Sequence, residues 1–282
     1  MRSIERKIVI YQGSGGLIHL LGGLVYCIHW CILHSHELLI DIKNHDLFLH
    51  NFTDFFYIKD NRLKWSEDYN LIPSNITHLQ RKISFEYISK NNVVFNNGFW
   101  LNDGKNRINI GISLDNIPKS EIVKMYCGNG CNRMLHITQY IGVKESIINI
   151  IKNKNNMNLI QYTGIHFRNT DRPNDISKYI NIIKNKLSNL AKDNIYYLAT
   201  DDSTAIEKIC NAINNINIIQ YTYPIDCDGK PIHIYSPNKY EIIINVLIDI
   251  YYLLNATNFI DSPESLVSRL ITYMRKSNTT IF

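Results

Sequence analysis

Apolar residues in the second half of this chain fall into short runs separated by amphipathic stretches. Leu159–Phe167 reads as a strand, Ile176–Ala191 as a helix, Ile195–Ala199 as a strand, Thr204–Ile213 as a helix and Ile216–Tyr221 as a strand. Tyr240–Leu254 follows as a helix, Thr257–Ile260 as a strand and Pro263–Met274 as a final helix. Strands that are apolar throughout, alternating with helices of period 3.6, specify a parallel sheet covered on both faces. Ligands of such sheets sit beyond the carboxyl ends of the strands, so the polar residues directly after each strand are the candidates for chemistry.

The first forty residues repeat the pattern. Lys7–Tyr11 reads as a strand, Gly13, Gly15 and Gly16 permit a tight turn, and an apolar stretch from Leu17 to Leu33 leads as a helix to a second strand, Glu37–Ile42. Between Lys43 and Tyr126 aromatic fragments alternate with polar turns and give no order. Ile141–Lys152 reads as a helix, and the Asn-rich Asn153–Asn158 is the expected linker. We therefore expect two α/β domains, residues 1–155 and 156–282.

With 282 residues and 45% hydrophobic composition, the chain is long enough for a sizeable core, which excludes disorder and small disulfide scaffolds. The formal charge of +5 is spread over both halves, so no basic arm points to nucleic acid and an anionic small ligand suits the balance. Six cysteines include two C-x3-C pairs, Cys27/Cys31 and Cys127/Cys131, but neither continues at zinc-ribbon spacing. Buried free thiols in a reducing, cytoplasmic setting are the expectation. The Leu17–Leu33 stretch contains His19, His29 and Gly22-Gly23 and is shorter than the roughly 20 residues a membrane span requires, so a buried helix is expected.

Four constellations occupy strand ends. The loop Gln12-Gly13-Ser14-Gly15-Gly16, with His19 beyond it, lets backbone amides approach a ligand. In Gly164-Ile165-His166-Phe167-Arg168-Asn169-Thr170-Asp171, His166 and Arg168 share one side of the strand, and the guanidinium offers a fork suited to a diphosphate. A structural ion pair of Arg168 with Asp171 is the plainer reading. Ala199-Thr200-Asp201-Asp202-Ser203 places carboxylates where they either cap the next helix or accept hydrogen bonds from a nucleoside. In Asp261-Ser262-Pro263-Glu264-Ser265-Leu266, Ser262 is an expected N-cap with Pro263 at the first helical position, and the amides with Ser265 form an expected anion site.

Taken together, these segments resemble the α1,6-fucosyltransferases, the N-glycan core and nodulation enzymes, whose signature H-x-R-R-T-D stands here as His166-Phe167-Arg168-Asn169-Thr170-Asp171. The A-T-D-D strand end is similar to Ala199–Asp202, and an I-L-D-I helix is similar to Leu247-Ile248-Asp249-Ile250. The serine segment ending in Arg resembles Ser262–Arg269. The resemblance implies a GT-B fold, two Rossmann-like domains facing each other across a cleft. It also implies an inverting, metal-independent transfer with the sugar-nucleotide donor, GDP-fucose, held by the C-terminal domain and the glycan acceptor by the N-terminal one. Carried over, Arg168 would bind the diphosphate, His166 and Asp202 would lie near the nucleoside, and Asp201 and Asp249 would also bind the donor. Ser262, Ser265 and the Leu266 amide would hold phosphate, with Gly15, Gly16 and His19 also on the donor.

Two departures qualify this. Asn169 replaces the second Arg of the signature, and the acidic segment that follows in the family is reduced to Arg172-Pro173-Asn174-Asp175, leaving Asp171 and Asp175 as the nearest candidates for a general base. Another donor, such as a UDP- or GDP-linked pentose, and a catalytically silent sugar-nucleotide or carbohydrate-binding module therefore stand as alternatives. A metal-dependent transferase would need Asp226-Cys227-Asp228 as its carboxylate pair, but the following Gly229-Lys230-Pro231 reads better as a turn.

Overall fold

Parallel strands are the framework of both halves. The computed structural model describes residues 8–11, 13, 15–42, 48–68, 70, 100–102, 107–109, 122–125, 134–154, 161–169, 175–187, 195–213, 217–222 and 238–282. They form two compact units, residues 1–143 with Ile281 and residues 144–280 with Phe282. The division falls before the Asn-rich stretch expected to mark it, because the helix Glu145–Asn153 packs on the helix Lys239–Asn255 of the second unit.

In the first unit, β1 (Ile8–Tyr11) pairs in parallel with β2 (Glu37–Ile40) on one side and with β7 (Ile122–Met125) on the other, and β2 pairs with β4 (Trp65–Ser66). The order β4-β2-β1-β7 reverses direction at the β1/β7 boundary. Helix α1 (Leu17–His34) connects β1 to β2, and its apolar side chains are buried nearly all round, Leu20, Leu21, Leu24, Val25 and Cys27 completely. A helix apolar on every face is a core helix, and no helix among the described residues is long and apolar enough to cross a membrane. The small antiparallel pairs β3 (Phe56–Ile58) with β8 (Ile141–Val143), and β5 (Trp100–Asn102) with β6 (Arg107–Asn109), complete this unit. Helix α2 (Met134–Tyr140) precedes β8. The helix expected from Ile141 thus starts later, at Glu145 in α3 (Glu145–Asn153), because Ile141, Gly142 and Val143 are taken up by pairing with β3.

The second unit has the same strand order. β9 (Tyr162–Phe167), α4 (Ile176–Leu187), β10 (Ile195–Thr200), α5 (Ser203–Ile213) and β11 (Asn217–Ile219) wind outward in one direction. After α6 (Lys239–Asn255) the chain returns to the far side of β9 as β12 (Asn258–Ile260), and α7 (Leu266–Ser277) closes the unit. All pairings are parallel and the order is β11-β10-β9-β12. On one face Ile165, Phe167, Tyr196 and Leu198 bury against Tyr179 and Ile183 of α4 and Ala205, Ile209 and Ile213 of α5. On the other, α6 crosses β9 so closely that a Cβ on Gly164 would meet Leu253 Cδ2 at 2.9 Å and Ala256 Cβ at 3.1 Å. Only glycine admits that approach.

Two local expectations are corrected. The last helix begins at Leu266 rather than Pro263, because the Ser265 amide first closes a turn on the Ser262 carbonyl at 3.0 Å. Ser262 is consequently not the N-cap; Ser265 is, and its side chain makes no capping bond.

Candidate functional site

Strand order places the site within the second unit. Where β9 and β12 lie side by side, connections leave in opposite directions, and the carboxyl ends of the two strands open a crevice in which such sheets bind ligands. Arg168 leaves β9 there and Ser262 leaves β12, with the Arg168 amide donating to Ser262 Oγ at 3.4 Å. The two strand ends predicted to converge on one ligand are therefore adjacent.

Each side chain is held by its neighbours. His166, 8% exposed, has Nδ1 2.7 Å from Ser268 Oγ in the first turn of α7. Burial first, and the Arg168 guanidinium second, lower its pKa to about 3, with Asp261 opposing weakly, so the ring is neutral near pH 7. Arg168 stays partly open, its Nε 4.0 Å from Asp201 Oδ2. The expected partner Asp171 lies outside the described residues, as do Gln12, Ser14 and Asp226-Cys227-Asp228.

Ser265 stands at the N-terminus of α7, 1% exposed, with no hydrogen-bond partner for its hydroxyl among the described residues. The neighbouring first-turn amides of α7 carry the positive end of the helix dipole. A buried hydroxyl left unpaired costs about 1–3 kcal/mol unless something accepts from it.

Asp201 and Asp202 tie β10 to β9. Asp201 Oδ1 accepts from the Asn169 amide at 2.8 Å, and Asp202 Oδ2 accepts from Asn169 Nδ2 at 2.6 Å. Asp202 Oδ1 also accepts from Thr204 N at 2.9 Å and Thr204 Oγ1 at 2.8 Å, a helix-capping pattern at the start of α5. Burial pushes its pKa upward, but the bonds from Asn169 and Thr204 outweigh that and leave it below the ordinary carboxylate value. Asp175 likewise caps α4, its Oδ1 accepting from Ser177 N at 2.9 Å and Lys178 N at 3.2 Å.

Asp249 of α6 faces β10 and the end of β11. Its Oδ1 accepts from Tyr197 Oη at 2.5 Å and Thr222 Oγ1 at 2.7 Å. Removal from water raises its pKa to about 7 despite those two bonds, with the Asp201 charge adding slightly. Tyr221 stacks over this corner, its ring 5.7 Å from Tyr197 and 4.5 Å from Tyr252.

Gly15, Gly16 and His19 sit together in the first unit, at the carboxyl end of β1 and the start of α1. Gly13 and Gly15 have φ of 65° and 77°, a region that favours glycine. A Cβ on Gly15 would meet His19 Cβ at 3.4 Å, and the loop is further fixed by Tyr11 Oη donating to Leu20 O at 2.6 Å. Four residues that hold the second unit's site escaped the sequence reading: Ser268, Tyr197, Thr222 and, as a bonding partner, Asn169. Thr222 lies just past a strand and was accessible to the strand-end rule. The others depend on which helix packs over which strand. Among the described residues no three His, Cys, Asp or Glu side chains are grouped to hold a metal. Cys27 and Cys31 are buried, and neither they nor Cys210 forms a disulfide among the described residues.

No family model and no curated protein matches the chain. Solved structures do, and they give it the fold of fucosyltransferases. NodZ α1,6-fucosyltransferase, a Bradyrhizobium enzyme, co-crystallised with GDP, is 14% identical with a TM-score of 0.56 over 95% of this chain and 92% of that one. An Arabidopsis thaliana FUT1 variant in complex with GDP is 13% identical, with a TM-score of 0.58 over 97% and 70%. POFUT1 in complex with GDP is 11% identical, with a TM-score of 0.51 over 96% of each chain. The resemblance read from His166–Asp171 and Ala199–Asp202 thus holds at the level of the fold.

Proposed function

We propose that this chain is an inverting, metal-independent glycosyltransferase that moves L-fucose from GDP-fucose to a hydroxyl of a glycan acceptor. The observation that carries the reading is the β9/β12 crevice, where Arg168 and the amide-rich start of α7 flank a buried Ser265 hydroxyl that is unpaired among the described residues. A diphosphate supplies what that geometry lacks: acceptor oxygens for Ser265 and the Leu266 amide, and negative charge for the guanidinium and the helix dipole. The fucosyltransferases of the same fold named above were solved with GDP.

In the reaction the acceptor oxygen attacks the anomeric carbon as its bond to the β-phosphate oxygen breaks, and the acceptor proton passes to a carboxylate. Asp171 is the proposed base, with Asp175 the second choice because its Oδ1 already caps α4. Charge grows on the departing diphosphate, where Arg168 and the α7 amides stabilise it. His166 and Asp249 face the nucleoside. Asp249 Oδ2, which has no partner among the described residues, accepts from the N–H edge of guanine. Gly15, Gly16 and His19 on the first unit serve the donor, and that unit binds the acceptor.

Asn169 favours a second reading. With one cation fewer than the signature supplies, the site suits a different sugar nucleotide, a UDP- or GDP-linked pentose, or holds a donor without turnover. Titration calorimetry with GDP, UDP and GDP-fucose, followed by donor hydrolysis and transfer assays in excess chelator, separates these. GDP binding with chelator-resistant turnover of GDP-fucose supports the proposal. UDP binding without GDP binding removes the fucosyl donor, and tight GDP binding with no turnover leaves a binding module.

A further inference from the structure

We propose that Ser268 is a positioning residue that locks His166 in its Nε2–H tautomer, so that the imidazole presents one fixed N–H donor to the bound nucleotide. The second half of this statement rests on the donor-binding reading above; the first does not.

Protons at three atoms decide the tautomer. The Ser262 backbone N–H donates to Ser268 Oγ at 2.9 Å, and a backbone N–H can only donate. Ser268 is 1% exposed, so its own hydroxyl proton cannot be handed to bulk water. Among the described residues the remaining bond of Ser268 Oγ is to His166 Nδ1, at 2.7 Å. Were Nδ1 protonated, Ser268 Oγ would face two donors while its own proton stayed buried without an acceptor, at a cost of about 1–3 kcal/mol. The three atoms around Ser268 Oγ are all satisfied in one arrangement: Ser262 N–H to Ser268 Oγ and Ser268 O–H to a bare Nδ1, which leaves the ring proton on Nε2.

Surrounding contacts hold that arrangement in place. The His166 carbonyl accepts from Tyr179 Oη at 2.5 Å, which fixes the strand under the ring. The charges acting on the imidazole are Arg168 on its own strand and Asp261 at the end of β12, and the first of these, with burial, disfavours a second ring proton. Nε2 has no protein partner among the described residues. A neutral ring locked this way donates to a carbonyl, ribose or phosphate oxygen and refuses a ligand donor, without adding a cation to the Arg168 site. Ser268 lies three residues beyond Ser265 on the same helix, so one turn of α7 both meets the phosphates and sets the tautomer of the neighbouring base.

The test is long-range ¹H–¹⁵N spectroscopy of histidine-labelled protein without ligand, with His166 assigned by the signal lost in His166→Gln. The wild type is expected to show a bare Nδ1 and protonated Nε2. Ser268→Ala should give a tautomer mixture, and Ser268→Thr, which keeps the hydroxyl, should restore the wild-type pattern. With loss of one aligned hydrogen bond, GDP affinity should fall roughly tenfold in Ser268→Ala and hold within about twofold in Ser268→Thr. An Nδ1–H or mixed ring in the wild type overturns the lock, as does an unchanged Nε2–H ring in Ser268→Ala. Normal GDP affinity in a Ser268→Ala protein with a mixed ring overturns the positioning role. Expected spectra in a protein that binds no GDP support the lock and count against the donor reading alone.

Discussion

The side-chain amide of Asn169 donates to Asp202 Oδ2 at 2.6 Å, tying the end of β9 to the start of α5. Where the fucosyltransferase signature carries a second arginine, this chain has a neutral strut between the ends of β9 and β10. The same residue's backbone amide donates to Asp201 at 2.8 Å, so one asparagine organises both carboxylates.

The first prediction follows from that strut. Asn169→Ala should lower unfolding stability by about 1–2 kcal/mol, the range for a partly exposed hydrogen bond to a charged group. Asn169→Arg keeps a donor toward Asp202 and adds a cation beside Arg168. It should bind GDP several-fold more tightly, with little change in stability. Urea unfolding and calorimetry read the two effects separately.

Arg168→Ala tests the diphosphate role. The side chain is 31% exposed, and its ion pair with Asp201, at 4.0 Å, contributes little to stability. Loss of a main charge-stabilising group should lower kcat/KM for transfer from GDP-fucose at least a hundredfold, on the order of 3 kcal/mol. Initial rates at saturating acceptor measure it, and retained activity rejects the role.

The element pattern of the second unit was legible because helix and strand periods differ and each run was uninterrupted. Strand-end logic pointed to Arg168, Asp202 and Ser265, which the structure places at the ends of β9 and β10 and at the start of α7. What it missed had specific causes. Ile141–Val143 was read into a helix because three apolar residues adjoining an amphipathic run carry no local mark of the β3 partner that captures them. Ser262 looked like an N-cap because Ser-Pro is a helix-start signature, yet the turn closed by Ser265 delays the helix to Leu266. Ser268 and Tyr197 acquire their roles only once α6 and α7 lie over the sheet, which no spacing encodes.

Opposed titrations of His166 and Asp249 give a pH prediction. His166 has a pKa of about 3 in the folded protein against 6.5 ordinarily, so it contributes stability above pH 6.5 that is lost as pH falls toward 3. Asp249 has a folded pKa of about 7 against 3.8, so its contribution is present below pH 3.8 and lost as pH rises through 7. Between about pH 4 and 6.5 the two slopes have opposite sign and largely cancel. Replacing one partner exposes the other. Stability of His166→Gln should decline with rising pH in that window, and that of Asp249→Asn should climb, each by up to about 1.4 kcal/mol per pH unit. Urea midpoints at half-unit pH steps show the slopes, and parallel curves for both variants refute the assignment.

Asp249 also makes nucleotide binding pH-dependent. If its carboxylate accepts from guanine, GDP must bind the ionised form, and ionisation at about pH 7 is then driven by the ligand. GDP affinity should rise as pH goes from 6 to 8, approaching tenfold per unit below the pKa, with a proton released into buffer on binding. UDP affinity should follow the same curve more weakly, since uracil offers a smaller donor edge. Calorimetry in two buffers of different ionisation enthalpy counts the released proton, and an Asp249→Asn protein should release none.

The packing of α6 on β9 supplies the last prediction, and it links core to site. A Cβ at Gly164 would lie 2.9 Å from Leu253 Cδ2 and 3.1 Å from Ala256 Cβ, so Gly164→Ala requires the Leu253 side chain and the end of α6 at Ala256 to give by a few tenths of an ångström. Overpacking of this kind costs about 1–3 kcal/mol. His166 lies two residues along the same face of the strand, and Asp249 lies one turn back on the same helix. The displacement should therefore weaken GDP binding as well as stability, although Gly164 has no side chain to touch a ligand. Gly16→Ala is the control. Its Cβ meets nothing within 4 Å and its backbone is extended, so unfolding stability should stay near wild type. A Gly164→Ala protein as stable as wild type would mean that helix and strand are not packed this closely in solution.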